Sequence, residues 1–82
     1  MITWVYIPPQ PDKMLPEQWQ ARASCLLAGA PRSVAVLRDT LEGWRAMVTG
    51  PNQELESMHP RGGSIYHAQL EIEARLKELG WT

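Results

Sequence analysis

Residues 33–49 have the sequence SVAVLRDTLEGWRAMVT, and this segment decides the fold. As a helix, the segment would align its large apolar residues on one stripe at spacings of three and four: Val34, Leu37, Leu41, Trp44 and Val48. As a hairpin, it would form strands at 34–39 and 44–49 around a turn at 40–43. The local pattern is compatible with both structures.

The N-terminal segment favours the hairpin. Residues 2–7, ITWVYI, are a run of β-branched and aromatic residues that ends at Pro8 and Pro9, which cannot continue a ladder. A strand this apolar needs backbone partners, and an all-helical remainder would leave its N–H and C=O groups unpaired. We therefore predict a hairpin and keep a helix at residues 33–48, in a mostly helical protein, as the alternative.

Two helices are predicted to flank the strands. Pro16 suits a first helical position, and apolar residues then recur at helical spacing over residues 16–28. The second helix follows Ser64, a good N-cap, and ends at Gly80, which can adopt the left-handed closing conformation. Its apolar stripe comprises Ile65, Ala68, Ile72, Leu76 and Leu79. Trp81 is placed to fold back onto Leu76.

A type I turn at residues 50–53 leads into a further, weaker strand at 54–58. The predicted order is strand, helix, three strands and helix, so the fold class is α+β, with an antiparallel sheet packed by two helices. We expect residues 1–82 to form one small domain. Strand order does not follow from the sequence.

Composition limits the function classes. The 82 residues include eight basic and nine acidic side chains and have a formal net charge of −1, so no global field attracts a duplex or an anionic membrane. Cys25 is the only cysteine, which excludes an internal disulfide. No basic n-region precedes the first apolar run, so we expect a cytoplasmic protein. Frequent Arg, Ala, Gly and Pro indicate GC-rich coding and a bacterial or phage source.

The first candidate surface is the outward face of the predicted hairpin. An even-length turn puts four residues on that face: Val36, Arg38, Arg45 and Met47. Two arginines with Met and Val are typical of a protein-binding surface and would also suit a phosphate backbone. The alternative is a solvated face that Asp39 and Glu42 neutralise. Trp4 and Tyr6 are added as interface anchors if one side of the first strand is exposed.

A second candidate is the glycine-rich entrance to the C-terminal helix. Free N–H groups there, with a guanidinium, would hold an anion at Arg61, Gly62, Gly63 and Ser64. The motif matches no phosphate-loop pattern, and a flexible connector is the simpler interpretation. His67 and Glu71, four apart, would supply two metal ligands with His59 as a third, but an ordinary surface pair is favoured. We predict no metal and no cofactor.

Catalysis is not expected, because no nucleophile–base pair, paired carboxylates or cofactor loop can be assembled from these residues. The sequence therefore predicts a non-enzymatic protein-binding domain, acting as a homodimer or on a larger partner, and no membrane partner. Small size and composition suggest a phage or mobile-element accessory protein that inhibits a host defence complex. The alternative function is a small nucleic-acid-binding module that uses Arg38, Arg45 and Arg61.

Overall fold

The computed structural model describes residues 1–24 and 30–82 and contains a five-stranded sheet with one helix. The strands are β1 (Thr3–Ile7), β2 (Gln18–Ala23), β3 (Arg32–Thr40), β4 (Gly43–Thr49) and β5 (Leu55–Met58), and the helix is α1 (Ile65–Leu79). A short 3₁₀ turn, Pro11–Lys13, follows β1. Every neighbouring pair of strands is antiparallel, and their spatial order follows the chain.

The predicted helix at residues 16–28 is wrong, because Gln18–Ala23 is strand β2. Its sequence, QWQARA, alternates: Ala21 and Ala23 are buried, whereas Arg22 between them is exposed. This period of two fits a strand with one covered face. The remaining predicted helical residues, 25–28, lie outside the described residues. The described fold therefore has one helix, so both the two-helix arrangement and the mostly helical alternative are incorrect.

The hairpin predicted at 34–49 is confirmed as β3 and β4. Thr40 pairs with Gly43 across the turn, and Gly43 has a φ of 101°, in the left-handed region that favours glycine. The Thr40 hydroxyl accepts from the Glu42 N–H at 3.2 Å and donates to the Gly43 carbonyl at 2.7 Å. These contacts fix the pairing register, which determines the face of each side chain.

The caps of α1 also agree with the prediction. Ser64 Oγ accepts from the His67 N–H, and Gly80 closes the helix in the left-handed conformation with bonds to the carbonyls of Leu76 and Lys77. Trp81 then folds back, since its N–H donates to the Leu76 carbonyl at 3.0 Å. Both ends of the helix are therefore specified locally.

The core lies between α1 and one face of the sheet, which we call the helix face. Helix α1 packs across β3 and β4. The buried apolar residues are Ala21, Ala23, Val34, Ala35, Leu37, Ala46, Val48, Ala68, Ile72, Leu76 and Trp81. The opposite side of the sheet carries no helix in the described part of the chain. We call it the open face.

Candidate functional site

The open face is built by strict alternation along β3 and β4. Leu37 and Ala46 are paired and buried on the helix face, so Arg38 and Arg45, each one residue further on its strand, point away from the core. By the same register Val36 lies opposite Met47. The structure thus brings together the four hairpin residues predicted to share an outward face.

Arg38 and Arg45 are directly opposite each other on adjacent strands. Arg38 donates from Nε and Nη2 to Oε1 of Gln18, at 3.2 and 3.0 Å, so its nearest partner is neutral. Arg45 donates to the Trp44 carbonyl at 3.0 Å and to the Glu42 carboxylate at 3.3 Å. Like charges at directly opposed positions destabilise a sheet. Of these two arginines, only Arg45 has a carboxylate within ion-pair distance among the described residues.

A groove of about 380 Å³ lies over this arginine pair. Its open-face walls come from β3, β4 and the end of β5: Val36, Arg38, Arg45, Met47, Ser57 and His59. Ser57 reaches the groove because it pairs with Met47. The groove combines apolar floor with guanidinium groups, which suits an acidic side chain flanked by apolar ones.

Charge is unevenly divided between the two sides of the sheet. The only acidic residues within the five strands are Asp39 and Glu56. Asp39 lies on the same face as buried Leu37, and Glu56 bonds Arg75 of α1 with two contacts of 2.7 Å, so both belong to the helix face. Arg22, Arg38 and Arg45 remain without a strand carboxylate beside them. Although the whole chain has a net charge of −1, the strand residues of the open face include arginines and no carboxylate.

Trp4 and Tyr6 do not join this surface. Trp4 pairs with buried Ala21, and Tyr6 pairs with Trp19, whose ring lies 5.4 Å from the tyrosine ring. Both side chains are consequently on the helix face. The Tyr6 hydroxyl donates to Glu17 at 2.7 Å, and this bond raises its pKa above the usual 10.0. The two predicted anchors and the two arginines lie on opposite sides of one sheet.

The predicted anion site at the entrance of α1 is already bonded to a carboxylate of the chain itself. The N–H groups of Arg61 and Gly62 donate to Glu71 at 3.1 and 2.9 Å, and Ser64 Oγ bonds His67. An incoming anion would have to displace Glu71 and meet its negative charge. The geometry therefore gives no support to phosphate binding at residues 61–64.

Two residues beside the arginines were not among the partner-binding residues that the sequence predicted. His59 follows β5, and its place beside the arginines depends on β5 pairing with β4. Gln18 lies in a segment with helical apolar spacing, so its bond to Arg38 had no local signal. Within the described ranges, no group of three or more His, Cys, Asp or Glu residues has the proximity needed to hold a metal ion.

No protein-family model matches this chain, and neither a curated protein nor a solved structure matches it significantly. The described part contains no helix that is both long and apolar enough to cross a membrane. Function is accordingly inferred from the geometry of the open face.

Proposed function

We propose that this chain is a protein-binding domain whose open sheet face docks an acidic surface of a larger partner. The observation that carries the proposal is the opposed pair Arg38 and Arg45, which lines a groove together with Val36 and Met47. A partner carboxylate placed between the guanidinium groups would relieve their repulsion and form charge-assisted hydrogen bonds. The apolar neighbours would supply contact area around that charge.

The apolar content of the open face supports a protein partner. Val5, Met47 and Leu55 are all exposed there, with Met47 and Val5 each more than 40% accessible. A surface of exposed aliphatic side chains around a few arginines is typical of protein interfaces, in which Met and Arg are enriched. A phosphate backbone would leave these aliphatic groups without complementary contacts.

A single-stranded nucleic acid is less well matched, because the strand aromatics lie on the other side. The rings of Trp19 and Trp44 are 5.9 Å apart in a cluster on the helix face. Bases bind sequence-tolerant proteins largely by stacking on exposed aromatic rings. The open face has no aromatic residue at a described strand position, so it offers no stacking platform.

Duplex binding is the second candidate function, favoured by the three open-face arginines and the absence of strand carboxylates among them. It would depend on phosphate contacts and would weaken steeply with salt. A fluorescence titration with single- and double-stranded oligonucleotides at two salt concentrations tests it directly. Arg61, the third arginine of the sequence prediction, lies outside the strands, and its backbone N–H donates to Glu71 of α1 at 3.1 Å.

The decisive experiment is affinity capture from a nuclease-treated bacterial lysate with two charge-reversed proteins. The test variant carries Arg38→Glu and Arg45→Glu. The matched control carries Lys13→Glu and Lys77→Glu, which change the net charge equally at exposed positions away from the hairpin. A protein captured by the wild type and by the control, and lost with the test variant, supports the proposal. Equal capture by the folded test variant contradicts it.

Inhibition of a host defence complex stays a prediction from size and composition. The structural proposal adds one requirement to it, which is that the target presents acidic side chains to the open face. If a captured partner is an enzyme complex, its activity should fall on addition of the wild type and persist with the Arg38→Glu, Arg45→Glu protein.

A further inference from the structure

Strand β1 leaves one side of its backbone unpaired in the described part of the structure. It pairs with β2 on one side and is an end strand of the sheet. Its sequence, TWVYI, contains no charge and no proline, and its pairing with β2 has no register shift. Natural edge strands usually carry a charged residue, a proline or a β-bulge that prevents pairing with another chain, and β1 has none of these three features.

The other edge strand, β5, is protected. It has only four residues, and Glu56 at its centre is bound to Arg75 of α1 through contacts of 2.7 Å. A short strand with a charge fixed on one face is a poor template for further pairing. The two edges of this sheet therefore differ, and β1 is the one open to extension.

We propose that two copies of this chain associate by antiparallel pairing of β1 with β1, about a two-fold axis at Val5. The axis places Val5 opposite Val5 of the second copy and Trp4 opposite Tyr6. Thr3 then lies opposite Ile7. The result is one continuous ten-stranded sheet with both helices on the same side.

The side chains of β1 are self-complementary in this register. Trp4 and Tyr6 both belong to the helix face, so the dimer forms two aromatic cross-strand pairs there, which stabilise antiparallel sheets. Val5 and Tyr6, now 41% and 49% exposed, would gain neighbours. No like charges meet, because the strand has no charge.

The register is compatible with the backbone as well. In an antiparallel pair, outward-pointing amides alternate along the strand. In this register each residue faces one of the same parity, because Trp4 faces Tyr6 and Val5 faces Val5. The backbone groups of β1 can therefore pair whether the even-numbered or the odd-numbered residues point their N–H and C=O groups away from β2. Face-to-face association is disfavoured by contrast, because it would bring the open-face arginines of both copies together, and only Arg45 among them has a carboxylate partner, Glu42, in the described residues.

Edge pairing also places the two open faces side by side on one surface. A partner with repeated acidic sites would then be bound by two arginine pairs at once, which raises avidity without a new contact. The edge contact itself is small, so we expect a concentration-dependent dimer rather than a permanent one.

Sedimentation velocity over a wide concentration range tests the proposal with two matched variants. Val5→Lys places two ammonium groups opposite each other at the axis and is expected to keep the protein monomeric. Leu55→Lys makes a comparable change at the exposed start of β5 and is expected to dimerise like the wild type. A wild type that stays monomeric at every concentration overturns the proposal, as does equal dimerisation of a folded Val5→Lys protein.

A cross-linking experiment decides the matter if Val5→Lys fails to fold. Directly opposed strand positions have Cβ atoms about 5 Å apart, close enough for a disulfide after small adjustments. In a Cys25→Ser background, Val5→Cys is expected to form a covalent dimer on mild oxidation, whereas Leu55→Cys remains mostly monomeric. Equal cross-linking of both, or of neither, overturns the assignment of β1 as the dimer edge.

Discussion

The indole Nε1 of Trp81 donates a hydrogen bond to the carbonyl of Thr49 at 2.8 Å, joining the residue after α1 to the end of β4. The indole is only 1% exposed, and the Arg32 guanidinium lies 4.9 Å from the ring centre. One side chain thus fills the core, satisfies a backbone carbonyl and supports a cation–π contact. Trp81, which follows the C-cap of α1, is therefore part of the core.

Trp81→Ala is expected to lower the free energy of unfolding by about 3–5 kcal/mol, the usual loss for a fully buried large aromatic residue. Urea denaturation followed by far-UV circular dichroism measures this change. Tyr66→Ala removes another ring of α1, one that is 65% exposed, and is the matched control. Similar losses in both proteins would show that Trp81 is not the packing element described.

Acid should weaken the link between β5 and α1. The Arg75 guanidinium holds the pKa of Glu56 below its ordinary value of 4.5. Because the folded-state pKa is the lower one, the stability from this pair is fully present above about pH 4.5 and is lost as pH falls through the folded value. Glu56→Gln should therefore be less stable than the wild type at pH 7, and the difference should narrow below pH 4.

Urea midpoints at several pH values measure this convergence. Glu42→Gln is the control, since it removes the carboxylate of the longer, more exposed Arg45 pair at 3.3 Å and should change the midpoint less. A constant difference between Glu56→Gln and the wild type from pH 7 to pH 3 would contradict the prediction.

The turn of the β3–β4 hairpin depends on the backbone of Gly43. An added Cβ there would meet no atom within 4 Å, but the φ of 101° is one that residues with side chains rarely adopt. Gly43→Ala is therefore expected to destabilise the protein by about 1–2 kcal/mol through backbone strain alone. Gly63→Ala, which also meets no atom within 4 Å and has no positive φ, should change stability by less than about 0.5 kcal/mol. Thermal unfolding of both variants provides the comparison.

Elements with complete local signals could be predicted from the sequence. Helix α1 has its cap residues, Ser64 and Gly80, at both ends of an apolar stripe, and these act within one turn. The hairpin followed from the need of β1 for backbone partners. The helix prediction for Gln18–Ala23 was wrong. Polar and apolar residues alternate over only these six positions, and the apolar residues at helical spacing over residues 16–28 were the stronger local pattern. Pairing with both β1 and β3 determines its structure, and such non-local contacts override propensity.

The part of the candidate site that lies within the β3–β4 hairpin could be predicted from the sequence. Turn length and alternation place Val36, Arg38, Arg45 and Met47 on one face without any knowledge of the other strands. The face on which Trp4 lies could not be predicted in this way, because it depends on two successive pairing registers, that of β1 with β2 and that of β2 with β3. A shift of one residue at either pairing would have moved Trp4 to the open face. No local feature of the sequence fixes those registers.

Phosphate is expected not to bind at the entrance of α1, because Glu71 already accepts from the N–H groups of Arg61 and Gly62. Amide chemical shifts of both residues should stay unchanged in the wild type on addition of millimolar phosphate, and should move in Glu71→Ala, in which the donors are freed and the repelling charge is removed. Glu73→Ala removes a neighbouring carboxylate of the same helix that makes no bond to these amides, and should behave like the wild type. Shifts of these amides in the wild-type protein would restore the anion site as a ligand-binding element. If the wild-type shifts do not change, Glu71 occupies the N–H groups of this loop, and the open face is the surface that remains for a partner.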